Sequence, residues 1–228
     1  MSYILSLETA TKTCSVALHR DRQLLALQDF HLEKSHSSIL HPLIADLMEY
    51  CEVERKQLSA IALSMGPGSY TGLRIGTSTA KGLCFALDVP LIAVNTLETM
   101  ALGVQKYNKN NAFLCPMLDA RRMEVYYQIR DENGIEVQPT APLVVEENSF
   151  DQYLDEREIW FFGDGSDKCR PLLESRFEHA VFIDHILPSA REVGELAWKK
   201  FEDKSFEDVA YFEPFYLKEF RTTKPKKK

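Results

Sequence analysis

Apolar positions alternate with small or polar ones at the start of the chain. Cys14, Val16 and Leu18 interleave with Ser15 and Ala17, the period of two that a strand imposes because successive side chains point to opposite faces. Three strands are predicted, Tyr3 to Glu8, Cys14 to His19 and Gln23 to Asp29, with polar turns at Thr11 to Thr13 and at Asp21 and Arg22. Links this short join antiparallel neighbours. The period then changes. Ile39, Leu40, Leu43, Ile44, Leu47, Met48 and Cys51 recur at helical spacing, which predicts a helix with Ser35 or Ser37 as its N-cap; Pro42 falls early enough for its missing N–H to be tolerated.

A continuous apolar strand, Ser59 to Ser64, runs into the turn GPGSYTG, a helix from Thr71 to Leu87, and another strand, Leu91 to Val94. Strand, helix, strand is a crossover and implies a parallel pair. A third helix starts near Thr96, and the polar run KYNKNN at residues 106 to 111 divides the chain. A hairpin then restarts: Ala112 to Leu118, a turn at Asp119 to Arg122, and Glu124 to Arg130. A strand from Ile159 to Phe162 ends in GDGS, and a last helix covers Ser189 to Phe201. The expected organisation is an α/β first half over 1–105, a reduced second half over 106–220 whose last helix packs back on the first, and a basic flexible tail over 221–228.

Composition narrows the function classes. With 45% hydrophobic and 27% charged residues, the 228-residue chain has the balance of a folded protein. Formal charge is −7, yet the last eight residues, RTTKPKKK, hold five of the 27 basic groups, which leaves 22 against 34 acids elsewhere. An acidic body repels phosphates at long range, so a stand-alone nucleic-acid binder is disfavoured. Glu8 interrupts the first apolar run, which excludes a secretory signal, and no run nears the roughly 18 apolar residues of a membrane span. A cytoplasmic location is expected. The five cysteines contain no C-x-x-C pair and read as small buried hydrophobes.

Candidate chemistry is sparse. GPGSYTGLRIG sits where a phosphate loop would, but five residues after Gly66 stands Thr71 and five after Gly68 stands Leu73, with no lysine, and the third glycine of a dinucleotide loop is also missing. In the following helix Gly72, Gly76 and Ala80 recur every four residues. Each glycine costs a helix about 1 kcal/mol relative to alanine, so something must approach closely: the sheet or first helix of the same domain, or a partner's helix. His31, His36 and His41 are five apart and scatter by about 140° per step around a helix, which disfavours a metal site. Asp119, Arg121 and Arg122 lie in a hairpin turn that could hold a phosphate or a carboxylate, or be an ordinary solvated turn with an Asp–Arg pair. Glu8 and Thr9 end the first strand, where a nucleotide-splitting fold would place an acid and a hydroxyl, although an isolated pair is a weak signal.

Taken together, ILSLETATKTCSVAL, S-H-S-x-x-L-H-P-L-I, MGPGSYTGLRIGTSTAKGLCFAL, LIAVNTLETM, LDARRMEVYY and GDG resemble, in order, the TsaB family of tRNA threonylcarbamoyladenosine proteins. The resemblance is densest over residues 4 to 125. It implies the actin, sugar-kinase and heat-shock-ATPase fold, two β-β-β-α-β-α halves with the second reduced. It implies a non-catalytic scaffold that pairs with the transferase TsaD through the first two helices and is joined by the ATPase TsaE, with tRNA reached through the complex. In TsaD the segment matching LIAVNTLETM carries two metal-binding histidines; the corresponding residues here are Thr96 and Met100, so no metal, cofactor or catalytic residue is expected. On this basis the partner face is expected at Leu40, Leu43, Leu47, Gly72, Leu73, Gly76 and Ala80, exposed in the free chain and able to form a homodimer. Glu8, Thr9 and Asp119 would be a vestigial nucleotide site. The other readings are an active phosphotransferase using Glu8, Thr9, Asp119 and the GDGS turn, and a glycoprotease-like peptidase, for which no zinc motif or nucleophile pair is present.

Overall fold

The computed structural model of the chain describes residues 1–32, 36–154, 157–174 and 178–218. Ser35, a proposed helix cap, and the tail from Arg221 to Lys228 lie outside these residues. Two five-stranded sheets are each built on the same plan. The first contains β1 (Tyr3–Glu8), β2 (Thr13–Arg20), β3 (Gln23–His31), β4 (Leu58–Ser64) and β5 (Leu91–Val94), in the order β3-β2-β1-β4-β5. β1, β2 and β3 are antiparallel, as their short turns require, whereas β4 lies parallel to both β1 and β5. The second sheet contains β6 (Phe113–Asp119), β7 (Glu124–Arg130), β8 (Glu136–Val144), β9 (Ile159–Phe162) and β10 (Ala180–Ile183), in the order β10-β9-β6-β7-β8. Its hairpins and parallel pairs repeat those of the first sheet.

The crossover helices show what is reduced. In the first half they are α1 (His36–Tyr50) and α2 (Tyr70–Leu87), of 15 and 18 residues; in the second they are α4 (Asp151–Leu154) and α5 (Arg170–Leu173), of four each. α3 (Thr96–Gln105) joins the halves and α6 (Ala190–Glu202) follows the second sheet. Because α1 begins at His36, Ser37 lies inside its first turn and not at its cap. Among the described residues no helix is long and apolar enough to cross a membrane.

Strand alternation assigns each helix its face. Leu5, Leu7, Ile61 and Leu63 point to one side of the first sheet and pack with Leu40, Leu43, Leu47 and Ala80 of α1 and α2. Ile4, Ala60, Ala62 and Ile92 point to the other, where Val193, Ala197 and Trp198 of α6 cover them. α6 approaches so closely that a Cβ on Gly194 would overlap the His19 ring. α3 packs on the second sheet through Leu97, Met100 and Val104, against Leu114, Leu118 and Phe162. Thus each half lends a helix to the other's neighbourhood, and the lobes are joined by packing as well as by chain.

Two strands are absent from the sequence-based assignment. β8 carries Pro139 and Pro142, which argue against a strand interior, but β8 pairs only with β7 and an edge tolerates residues without an N–H. β10 is a four-residue strand at the edge of the second sheet.

Candidate interlobe site

Between the sheets lies a cleft of ≈ 1190 Å³. Three loops form its walls. After β1 come Ala10, Thr11 and Lys12; after β4 come Pro67, Gly68 and Ser69, leading into α2; at the end of β6 come Asp119, Ala120 and Arg121. Asp164 and the segment Phe215 to Lys218 complete it.

The β4–α2 loop is fixed by close contact with the end of β1. The Ser69 N–H donates to the Ala10 carbonyl at 2.6 Å, and the Thr9 hydroxyl donates to the Gly72 carbonyl at 2.9 Å. Side chains would obstruct this: a Cβ on Gly68 would overlap Ala10, one on Gly72 the Thr9 carbonyl, and one on Gly76 the Thr9 hydroxyl. The glycine stripe therefore serves the chain's own strand-to-helix junction, the intramolecular alternative of the sequence analysis. The expected partner face is corrected accordingly. Leu40, Leu43, Leu47, Leu73 and Ala80 are all buried in the first lobe's core, Leu43 being the most exposed of them at 6%, and Gly72 and Gly76 are buried with them. None of the seven is available on a free surface, because the same helical periodicity that marks a buried stripe cannot say who buries it.

Glu8 sits behind the cleft wall and not in it. It is fully buried; one carboxyl oxygen accepts the Ala10 N–H at 2.5 Å, and the buried Ser64 hydroxyl lies close enough to act on the same carboxyl. Burial, eased by the Ala10 N–H, pushes this carboxyl up to about 7. Thr9 is buried and spends its hydroxyl on Gly72. Asp119 does line the cleft. Its carboxylate pairs with Lys168 and accepts the Arg121 N–H at 2.9 Å, while its own N–H donates to Asp164 at 2.9 Å. Burial raises the Asp164 carboxyl above the usual range. The structure thus brings Asp119 together with Asp164 of the GDGS turn, as the phosphotransferase reading groups them, and with Lys168, which sequence reasoning does not single out, and it leaves Glu8 and Thr9 off the cleft surface. Lys168 lies 49 residues from Asp119, and no local signal marks it.

Arg121 and Arg122 occupy the turn in the left-handed region at φ 74° and 52°. Thr96 is buried under the N-terminus of α3, and Met100 packs in the second lobe's core. His36 is buried with Nε2 3.1 Å from the Thr13 carbonyl, and His31 Nδ1 lies 3.3 Å from the Thr13 hydroxyl, while His41 is exposed. The three histidines do not converge.

Two repeated sheets around a cleft define the actin, sugar-kinase and heat-shock-ATPase class of fold. An activator of 2-hydroxyisocaproyl-CoA dehydratase from Clostridium difficile, solved with bound ADPNP, superposes with a TM-score of 0.53 over 90% of this chain and 98% of that one, at 9% identity. That likeness concerns the fold alone. Within the class, the family model of TsaD, tRNA N6-adenosine threonylcarbamoyltransferase, matches residues 31–225. The tRNA threonylcarbamoyladenosine biosynthesis protein TsaB of Bacillus subtilis is 31% identical over 94% of this chain and 93% of its own. YeaZ from Pseudomonas aeruginosa superposes with a TM-score of 0.82 at 27% identity, over 95% of this chain and 100% of that one. The chain belongs to the TsaB family of tRNA threonylcarbamoyladenosine biosynthesis proteins.

Proposed function

We propose that this chain is the non-catalytic partner subunit of a tRNA threonylcarbamoyladenosine transferase, pairing with a TsaD-type catalytic subunit and joined by a TsaE-type ATPase. The observation that carries the reading is the outward face of α1 and α2. Phe85 is 88% exposed on α2 and Tyr50 is 81% exposed at the end of α1. Gly82 lies one turn from Phe85, and a Cβ there would meet nothing within 4 Å. An exposed aromatic beside a side-chain-free patch is a surface that a second helix can approach closely. The partner face is therefore assigned to Ser78, Gly82, Phe85 and Tyr50 in place of the buried residues, on the same two helices. The free chain can pair with itself through this face by two-fold symmetry, in competition with the TsaD-type subunit.

A non-catalytic role is supported by the chemistry of the cleft. The Asp119 carboxylate is already engaged by Lys168 and the Arg121 N–H, Glu8 is walled off, and the resemblance to TsaD implies that Thr96 and Met100 stand where that protein carries metal-binding histidines. tRNA is then reached through the complex, in keeping with the acidic body of the chain.

Replacing the exposed Phe85 with glutamate is expected to leave the melting temperature of the chain unchanged. It should weaken pairing with the TsaD-type subunit roughly 30-fold, because an interface aromatic that acts as an anchor is worth about 2 kcal/mol or more. Calorimetric titration checks this. Undiminished affinity in a folded Phe85→Glu protein would remove the proposed face.

A further inference from the structure

After α6 the chain does not stop at the first lobe. The Glu207 N–H donates to the Leu91 carbonyl at 2.9 Å along the outer edge of β5. The Lys81 ammonium then donates to the Ala210 and Phe212 carbonyls at 3.0 and 3.1 Å, which ties the segment to α2. Next the Phe215 N–H donates to the Met65 carbonyl at 2.8 Å. Gly66 makes room for this: its φ of +111° suits glycine, and a Cβ there would come within 2.9 Å of the Phe215 carbonyl. The Tyr216 ring packs against that of Tyr70, the first residue of α2, with centroids 4.8 Å apart and planes tilted by 36°. Finally Lys218 crosses the cleft. Its ammonium pairs with the Glu124 carboxylate and lies 5.9 Å over the Tyr126 ring, both on β7 of the second lobe.

The anchors differ in strength. Those on the first lobe are backbone hydrogen bonds, a lysine bonded to two carbonyls, and a tilted contact between two aromatic rings. The described link to the second lobe is a single side chain, with Lys218 37% and Glu124 26% exposed. Partly exposed ion pairs and cation–π contacts are individually weak, so together they bias an equilibrium by roughly tenfold and do not lock it. One end is held firmly and the other lightly.

We propose that Phe215–Lys218 is an intramolecular latch: Lys218 holds the second lobe against the first across the cleft, and its release lets the lobes move apart about the α3 connection. This inference is independent of the partner reading, since it concerns the cleft and not the outer face of α1 and α2. Closure is an electrostatic event on a fold whose two lobes are also joined by the packing of α3 and α6 and by the attraction of Lys12 for Asp164. It is therefore weakened by salt as well as by mutation.

The test uses the full chain with a Lys218→Glu substitution and the charge swap Lys218→Glu with Glu124→Lys. Hydrogen exchange is followed at the Phe215 amide, with Leu5 and Ile61 in the first sheet as internal references. Interlobe distance is read by electron spin resonance from nitroxides on Gln23→Cys and Val137→Cys, exposed sites on β3 and β8, in a Cys51→Ser background. Lys218→Glu is expected to speed exchange at Phe215 roughly tenfold, leave the reference amides unchanged, and lengthen and broaden the distances; the charge swap restores both. Raising the salt should move the wild type toward the variant. Unchanged distances with faster Phe215 exchange would make the segment a surface tether and overturn the proposal. Equal acceleration at Leu5 and Ile61 would make the segment part of the core and would overturn it too. No change in either readout would show that Lys218 holds nothing.

Discussion

Gly72→Ala is expected to destabilise the chain by about 3 kcal/mol, Gly76→Ala by about 1 to 2 kcal/mol, and Gly82→Ala is expected to stabilise it, although all three changes add one methyl group to the same helix. Alanine is favoured over glycine in a helix by about 1 kcal/mol, which acts at all three positions. What differs is the obstacle. At Gly72 the new Cβ overlaps the Thr9 backbone carbonyl, which cannot turn aside without moving the end of β1. Overpacking of this kind costs typically 1 to 3 kcal/mol and at times more, so it outweighs propensity. At Gly76 the obstacle is the Thr9 hydroxyl, which can rotate, but only by giving up its bond to the Gly72 carbonyl; an unsatisfied buried polar group costs about 1 to 3 kcal/mol. At Gly82 the space is open and propensity alone acts. Urea unfolding of the three variants gives the order directly. A Gly76→Ala protein stabilised as much as Gly82→Ala would show that Thr9 does not fill that space.

Glu8→Gln is expected to stabilise the chain by about 3 kcal/mol at pH 8 and hardly at all at pH 4.5. An ordinary glutamate ionises near 4.5, whereas burial holds Glu8 protonated in the fold up to about 7. Between these values the folded chain keeps a proton that the unfolded chain has released. Raising the pH through that window therefore costs stability, about 1.4 kcal/mol for each unit. Glutamine keeps an oxygen for the Ala10 N–H and does not ionise, so its advantage grows as Glu8 would have been forced to charge. His19 acts in the opposite sense. Burial lowers its imidazole from 6.5 to about 4, so its contribution is lost as the pH falls from 6.5 toward 4. The two windows oppose each other up to about pH 6.5, so the wild-type profile is nearly level there, falls only between about 6.5 and 7, and is level beyond. In Glu8→Gln the His19 rise from 4.5 to 6.5 stands alone and then levels off. Chemical unfolding of both proteins from pH 4.5 to 8 measures this; an equal stability difference at both ends would refute the buried, protonated carboxyl.

The first lobe was legible because its elements are long and strongly periodic. β1 to β5, α1 and α2 begin and end within two residues of their predicted limits, apart from α1, whose start lies next to residues outside the described ones. β8 was not legible because an edge position excuses the prolines that its composition counts against it. The stripe on α2 was legible as a demand for close approach. Its answer, Thr9 and Ala10, lies some sixty residues earlier in the chain, and helical spacing carries no information on a contact of that range. Lys168, 49 residues from Asp119, was hidden for the same reason, and so was Tyr216 against Tyr70, whereas the GDGS turn had already marked Asp164 beside Asp119. The run YFEPFYLK has no period of two or 3.6 to mark it, because its residues bind one at a time to different elements.

The central claim, a subunit that supports the transferase without performing the transfer, is tested most directly by reconstitution. Threonylcarbamoyladenosine formation on tRNA would be measured with this chain alone, with the TsaD-type subunit alone, and with both, each in the presence of threonylcarbamoyl-adenylate, ATP and the TsaE-type ATPase. The account predicts product with both subunits present and none from this chain without its TsaD-type partner. Product formed by this chain in the absence of that subunit, or a rate with TsaD that this chain leaves unchanged, would contradict it.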